Sequence, residues 1–300
     1  MQISPDAEEL NKILQERAPQ VYALLSEAGR KAFFPKAGIL AQSAEAKGKS
    51  LNATIGVALN DCGNPLAVDA ITRNSKLSAQ ETVSYSPSYG QQALREKWLE
   101  RIRQNNPSLK SRTSLPVVTN AITHGLSIIA KLFINNNEKI IVPNLIWPNY
   151  RLVFQHAELD MFPCFAEGKF NVSGLKRRLE QSPGKQVILL NFPNNPTGYS
   201  ATTEDAEQII HAIEQSARAG NNILVICDDA YFGLFFEDNV FRESLFARLV
   251  DLHENVFAMK CDGITKEMYA WGLRVGFVTY AFRGMDEEVA GCWRTRPRAQ

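Results

Sequence analysis

From residue 115 onward, short apolar runs alternate with stretches of helical periodicity, and this alternation limits the possible folds more than any other feature of the chain. The strand candidates are Leu115–Thr119, Lys139–Val142, Leu159–Phe162, Gln186–Phe192, Asn222–Asp228, Asn255–Cys261 and Val275–Tyr280. Between them lie helix candidates at 123–134, 149–157, 172–181, 203–219 and 242–252. Strands and helices at this spacing predict an α/β fold, with a mostly parallel sheet covered by helices on both faces. Upstream, residues 6–28 read as one helix and residues 30–64 mostly as loop, with a short extended piece at Ala53–Gly56. A further helix is predicted over 91–104, after the turn signal Ser86–Gly90.

An apolar share of 45% supplies a core of ordinary size, and a net charge of +1 gives no reason to expect nucleic acid or an anionic membrane as partner. The five cysteines, Cys62, Cys164, Cys227, Cys261 and Cys292, are odd in number and none has CxxC spacing. That argues against a disulfide framework or a zinc site, so no metal is expected and the reading is a cytoplasmic protein. The polar N-terminus has no signal-peptide core, and no stretch reaches the roughly 18 apolar residues of a membrane span.

In a parallel sheet, ligands bind beyond the carboxyl ends of the strands. Each polar motif here follows a strand candidate. Asn191–Gly198 (NFPNNPTG) is a rigid polar turn that serves equally as a strand-to-helix connection or as a source of fixed amide donors. In Cys227–Tyr231 (CDDAY) either aspartate alone could cap a helix; two acids and a tyrosine at a strand end lean toward a site. Lys266 alone reads as a solvated surface lysine, but Gly272, Arg274 and Gly276 follow it into another strand, and Arg274 suits an anion. Val117–Gly125 runs from strand into helix, whose first free amides suit a phosphate; His124 there reads as a cap or surface residue. Trp147 in Ile146–Tyr150 (IWPNY) is either packing or a flat platform for an aromatic ligand.

Taken in this order and at these separations, NNPTG, DDAY and TKxxxxxGLRVG make the chain resemble the class I/II aminotransferases, the aspartate-aminotransferase-like enzymes of fold type I, from about residue 50 to 282. The resemblance implies pyridoxal 5'-phosphate as cofactor and transamination between an amino acid and a 2-oxo acid. Lys266 matches the Schiff-base lysine and proton shuttle, Asp228 the partner of the pyridine nitrogen, and Tyr231 and Asn195 the donors to the phenolic oxygen. Trp147 matches a ring-stacking aromatic, Arg274 the phosphate arginine, and Ala121, Ile122 and Thr123 the phosphate cup, with Thr265 beside it. Tyr85 matches a tyrosine that reaches the neighbouring subunit's phosphate, which implies a homodimer. Gly56 and Asn195 match positions near the substrate.

Two residues depart from the pattern: Ala121 stands where the cup usually has glycine, and Gly263 where serine is frequent. Family members also continue well past residue 300, and the tail Gly291–Gln300 carries a proline and Arg294, Arg296 and Arg298 in place of a continuing helix. The expectation is a truncated product: residues 1–52 an N-terminal arm and part of a small domain, 53–283 the cofactor-binding large domain, and 284–300 an atypical tail. The alternatives are a C–S lyase, decarboxylase or cyclising synthase on the same scaffold, or a remnant that only binds cofactor or dimerises. WPNY and NATIG lean toward aspartate or aromatic substrates.

Overall fold

Why the chain forms a sheet buried on both faces is visible in two strands. Lys185–Asn191 (KQVILLN) and Asn222–Asp228 (NILVICD) are apolar without alternation, and every residue after the first is buried. Such runs fit only a strand covered on both sides. The computed structural model describes residues 4–31, 42, 43, 45–50, 52, 54, 56–74, 76–78 and 83–286. Parts of the expected extended piece Ala53–Gly56, and all of the tail Gly291–Gln300, lie outside the described residues.

The chain divides into two compact units, Met1–Ala58 and Leu59–Gln300. In the first unit the helix expected over 6–28 is broken into α1 (Pro5–Arg17), α2 (Pro19–Leu24) and α3 (Glu27–Lys31). Pro19 is the cause of the first break: it lacks an N–H and forces the preceding residue out of helical geometry, and Ala18 sits at φ −151°, ψ 59°.

In the second unit the helices are α4 (Asp69–Arg73), α5 (Gln92–Asn105), α6 (Ala121–Phe133), α7 (Tyr150–Val153), α8 (Val172–Gln181), α9 (Thr203–Arg218) and α10 (Leu245–Leu249). The strands are β1 (Val117–Asn120), β2 (Lys139–Pro143), β3 (Glu158–Phe162), β4 (Phe165–Ala166), β5 (Lys169–Phe170), β6 (Lys185–Asn191), β7 (Asn222–Asp228), β8 (Val256–Gly263) and β9 (Val275–Phe282). Seven of them form one sheet in the order β1-β9-β8-β7-β6-β2-β3, and β4 and β5 form a separate hairpin. β9 alone runs against its neighbours β1 and β8; the pairs from β8 to β3 are parallel. The α/β fold with a mostly parallel sheet is therefore present.

Helices α5, α8, α9 and α10 cover one face, with Trp98, Leu175, Ile213 and Phe246 packed among Ile188, Val225 and Ala258. Helices α6 and α7 cover the other, with Leu126, Ile129 and Tyr150 among Leu189, Ile226 and Met259. Alternate strand residues thus serve opposite cores, as the pleat requires. Helix α9 starts sharply because Thr202 and Asp205 form a reciprocal capping box, worth about 1 kcal/mol. Two expected helices are shorter than their periodicity suggested. The one at 149–157 ends after Val153, where the chain turns into β3 and the carbonyl of His156 accepts the Asn137 N–H at 2.8 Å. The one at 242–252 spans only α10, entered through the Ser244 cap.

The tightest backbone approach is where β9 passes the start of α6. A Cβ on Gly276 would lie 2.5 Å from the carbonyl carbon of Ala121 and 2.7 Å from the nitrogen of Ile122. Neither atom belongs to a movable side chain, so the glycine lets β9 close on the helix start. Gly276→Ala should destabilise the chain by on the order of 1–3 kcal/mol in urea unfolding. Gly272→Ala, where a Cβ meets nothing within 4 Å, should stay within about 0.5 kcal/mol of the parent; equal effects at the two positions would refute this reading of the contact.

Candidate functional site

β6, β7 and β8 end at one edge of the sheet, and the polar residues singled out in the sequence gather there. Asp228 is the last residue of β7 and only 3% exposed. Its carboxylate accepts a short hydrogen bond from the Tyr150 hydroxyl and another from the Ala230 N–H at 3.1 Å. Its backbone carbonyl accepts from Asn191 Nδ2 at 2.7 Å, which ties the ends of β6 and β7 together. Burial pushes the Asp228 carboxyl up to about 6; the Tyr150 and Ala230 donors and the Lys260 cation pull it down, and Asp229 adds to the rise. Tyr150 is itself held well above the usual phenol range by burial and by Asp228.

Lys266 lies three residues past β8, half-buried, with its Nζ 5.2 Å from the centre of the Tyr231 ring. Desolvation lowers its proton affinity first, the Arg274 cation lowers it further, and Asp228 opposes both. An amine so placed is neutral over a wider pH range than a surface lysine. Tyr231 moves the other way, raised by burial and by Asp228. Asn195 Nδ2 donates to the Tyr231 hydroxyl at 3.4 Å, and the Asn195 N–H is itself held by Asn191 Oδ1 at 2.7 Å. The turn that carries Asn195 contains two cis prolines, Pro193 and Pro196. Asn194 Oδ1 accepts from Thr197 Oγ1 at 2.7 Å and fixes the rest of it.

The start of α6 forms the third wall. The Ala121 N–H donates to the Arg274 carbonyl at 2.8 Å. Ala121 at φ 61° and Arg274 at φ 53° both occupy the left-handed region. That explains why a glycine would suit position 121: the turn asks for a conformation that costs an L-residue about 1 kcal/mol. The first amides of a helix lack intrahelical acceptors, and no Asn120 side-chain cap covers them here. Ile122 is buried, Thr123 half-buried, Thr265 buried and Arg274 exposed. A helix N-terminus with an accessible guanidinium beside it is an anion site in chemical character. His124 Nδ1 accepts from the Asn120 N–H at 3.1 Å, which makes it a capping residue.

Trp147 meets the Tyr150 ring edge-on, with centroids 5.5 Å apart, so Trp147, Tyr150 and Asp228 form one contiguous wall. The structure thus assembles Asp228, Tyr231, Asn195 and Lys266 with Arg274, Ala121, Ile122, Thr123, Thr265 and Trp147 around the strand ends. Tyr85 stands fully exposed, and Gly56 belongs to the N-terminal unit, with open space around its α-carbon. The sequence reading missed Tyr150. It saw the residue only as the end of IWPNY, and a hydroxyl that finds its acceptor 78 positions away leaves no local signal. Among the described residues no cluster of His, Cys, Asp or Glu could hold a metal ion, and no helix is long and apolar enough to cross a membrane.

A family model described as aminotransferase class I and II matches residues 49–290. The aromatic-amino-acid aminotransferase 2 of Thermococcus litoralis is 28% identical over 201 residues, which cover 65% of this chain and 48% of that protein. An aspartate aminotransferase of Bacillus sp. is 23% identical over 203 residues, covering 66% of this chain and 49% of the relative. The chain spans about half the length of the curated relatives it matches. A crystal structure of an aminotransferase from Anaerococcus prevotii superposes with a TM-score of 0.75 at 21% identity, over 90% of this chain and 69% of that one. At that identity the likeness speaks for the fold.

The buried acid has a consequence for stability against pH. Asp228 starts from 3.8 and is raised to about 6 in the folded chain, so the native state binds this proton more tightly than the unfolded one. The stability it contributes is complete below the unfolded value and is lost as pH rises through the folded one. Asp228→Asn keeps an acceptor for Tyr150 and removes that loss. In the cofactor-free chain, the variant should gain on the parent by on the order of 2 kcal/mol between about pH 4 and pH 7, measured by urea unfolding. Parallel stability curves across that range would contradict a raised Asp228.

Proposed function

The chain belongs to the class I and II aminotransferase family, and from that premise we propose that it carries the cofactor-binding part of a pyridoxal-phosphate-dependent enzyme that exchanges an amino group between an amino acid and a 2-oxo acid. The observation that carries this reading is the gathering of the half-buried Lys266, Tyr231, Asn195 and the buried Asp228 at one edge of the sheet, with the Arg274 backbone bonded to the start of α6. Residues 53–283 would be the cofactor-binding domain, 1–52 an N-terminal arm and part of a small domain, and 284–300 an atypical tail.

The residues present fit the cofactor by their chemistry. The start of α6, where the Asn120 side chain caps no amide, and the exposed Arg274 suit a phosphate dianion. Gly276 lets that cup form, because any side chain there would strike the Ala121–Ile122 backbone. Asp228 would meet the pyridine nitrogen, Tyr231 and Asn195 the phenolic oxygen, and Trp147 the face of the ring. Thr265 would add a hydroxyl to the phosphate. When bound, the cofactor supplies an electron-withdrawing ring that accepts charge from the substrate α-carbon.

The chain's own groups do the rest. Lys266 would hold the cofactor through its Nζ, and burial beside the Arg274 cation lowers the proton affinity of that amine, which favours its nucleophilic form. As a free amine, the same Nζ would be the group that takes the proton from the substrate α-carbon and holds it for return to the substrate–cofactor pair. Asp228, kept in place by Tyr150 and the Ala230 N–H, would hold the proton on the ring nitrogen. Asn195 and Tyr231 would donate toward negative charge on the phenolic oxygen.

The curated relatives include enzymes named for aromatic amino acids, aspartate and tyrosine. We take from them the common class of α-amino acid and 2-oxo acid. A homodimer completes the reading: Tyr85, fully exposed in the single chain, is available to a second copy. The free thiols Cys62, Cys164, Cys227 and Cys261 suit a reducing, cytoplasmic setting.

The deciding measurement is the visible absorbance of the chain with pyridoxal phosphate, beside Lys266→Ala. A long-wavelength band that survives dialysis in the parent and is missing from the variant is the expected result. A folded parent that shows no such band, or a variant that keeps it, would remove Lys266 from this role.

A further inference from the structure

One buried charge cluster takes no part in the roles assigned above. Asp229 follows Asp228, and because successive strand residues point to opposite faces, it points away from the site. There its carboxylate accepts a short hydrogen bond from Lys260 Nζ and one from Ser244 Oγ at 2.6 Å. Lys260 is 1% exposed and lies opposite Cys227 in the pairing of β7 with β8. Its ammonium is also 3.3 Å from Asp262, two residues along β8, and 4.6 Å from the centre of the Phe232 ring. The second Asp262 oxygen accepts from the Trp98 indole of α5 at 2.9 Å. One turn further along α5, Arg101 pairs at 2.6 Å with Glu267, the residue after Lys266.

A buried lysine is costly unless its charge is met, and burying three charges together is seldom the most stable way to fill a core. This one spans the two strand ends that matter to the site. Asp229 adjoins Asp228, while Asp262 and Glu267 bracket the turn that carries Lys266. We propose that Lys260 is a positioning residue for the candidate site: with Asp229 and Asp262 it ties the end of β7 to the end of β8, and from the far face of the sheet its ammonium places a positive charge behind Asp228. The inference rests on Asp228 being the acid that serves the cofactor ring, but the link between the two charges stands without it.

The direction of the electrostatic effect agrees with this geometry. The titratable groups that interact with Asp228 are Tyr150 from α7, Tyr231 and Lys266 in the site, Cys261 from β8, and, from the opposite face, Cys227, Asp229 and Lys260. Of these, Tyr150 and Lys260 lower the acid's proton affinity and Asp229 raises it. Lys260 itself is held protonated, because Asp229 and Asp262 outweigh the desolvation that opposes its charge.

The test uses the cofactor-free chain labelled with carboxyl-13C aspartate. The Asp228 resonance is the one missing from Asp228→Asn, and its titration midpoint is followed by NMR. Lys260→Met should raise that midpoint by roughly one pH unit. Lys260→Arg should return it close to the parent value. Asp229→Asn, which removes a like charge instead, should lower it. A folded Lys260→Met with an unmoved midpoint would overturn the proposal. Where Lys260→Met does not fold, Asp229→Asn decides: an unmoved or raised midpoint there overturns it as well. A change confined to the melting temperature would assign the cluster a structural role only. Because no cofactor is present, these outcomes are independent of whether Lys266 binds pyridoxal phosphate.

Discussion

Burying the Asp228 carboxyl at the end of a strand is the constraint on which the rest of the site depends. A carboxylate with 3% exposure must be met by donors or be protonated. The fold meets it from several directions. Tyr150 arrives from α7, the Ala230 N–H from the following turn, and Asn191 anchors the backbone from β6. Each donor comes from a different element: the start of α7, the turn after β7, and the end of β6, which pairs in register with β7. The acid therefore does two things at once: it offers a charge to a ligand and it gathers the strand ends on which the other site residues sit.

The antiparallel strand β9 closes the group from the other side. It turns back along both β8 and β1, and so carries Arg274 to the start of α6. The Arg274 carbonyl takes the Ala121 N–H, and Gly276 lets the backbones touch. Both halves of the anion site are then set by one turn. Lys266, between β8 and that turn, feels the cation on one side and the acid on the other. Its lowered proton affinity follows from position: burial and the nearby cation both disfavour the ammonium.

Much of this was legible in the chain. The apolar runs KQVILLN and NILVICD announced strands covered on both faces, and the polar motifs after them fell at the sheet edge because parallel strands all end there. What could not be read was set by contacts distant in sequence. Tyr150 finds Asp228 across 78 positions, and Trp98 finds Asp262 across 164. The break at Pro19 has a local cause, but the apolar spacing continues across it and so reads as one long helix. The helix expected over 149–157 failed for another reason: its apolar residues Val153 and Phe154 pack against the sheet from a single turn, without a full helix.

The two consecutive aspartates show why such a motif is ambiguous in sequence and decided in three dimensions. Read as letters, Asp228 and Asp229 are interchangeable candidates. The pleat separates them: one carboxylate meets Tyr150, the other meets Lys260 and Ser244. A single strand end thus holds an acid for the site and an acid for the support behind it. The separation also limits what substitution can do. Exchanging Asp229 for a neutral residue leaves the donors to Asp228 untouched, yet it frees an ammonium whose nearest remaining acid is Asp262. The field at Asp228 then changes although no atom in contact with it has moved, so the two faces of the sheet are coupled by charge as well as by packing.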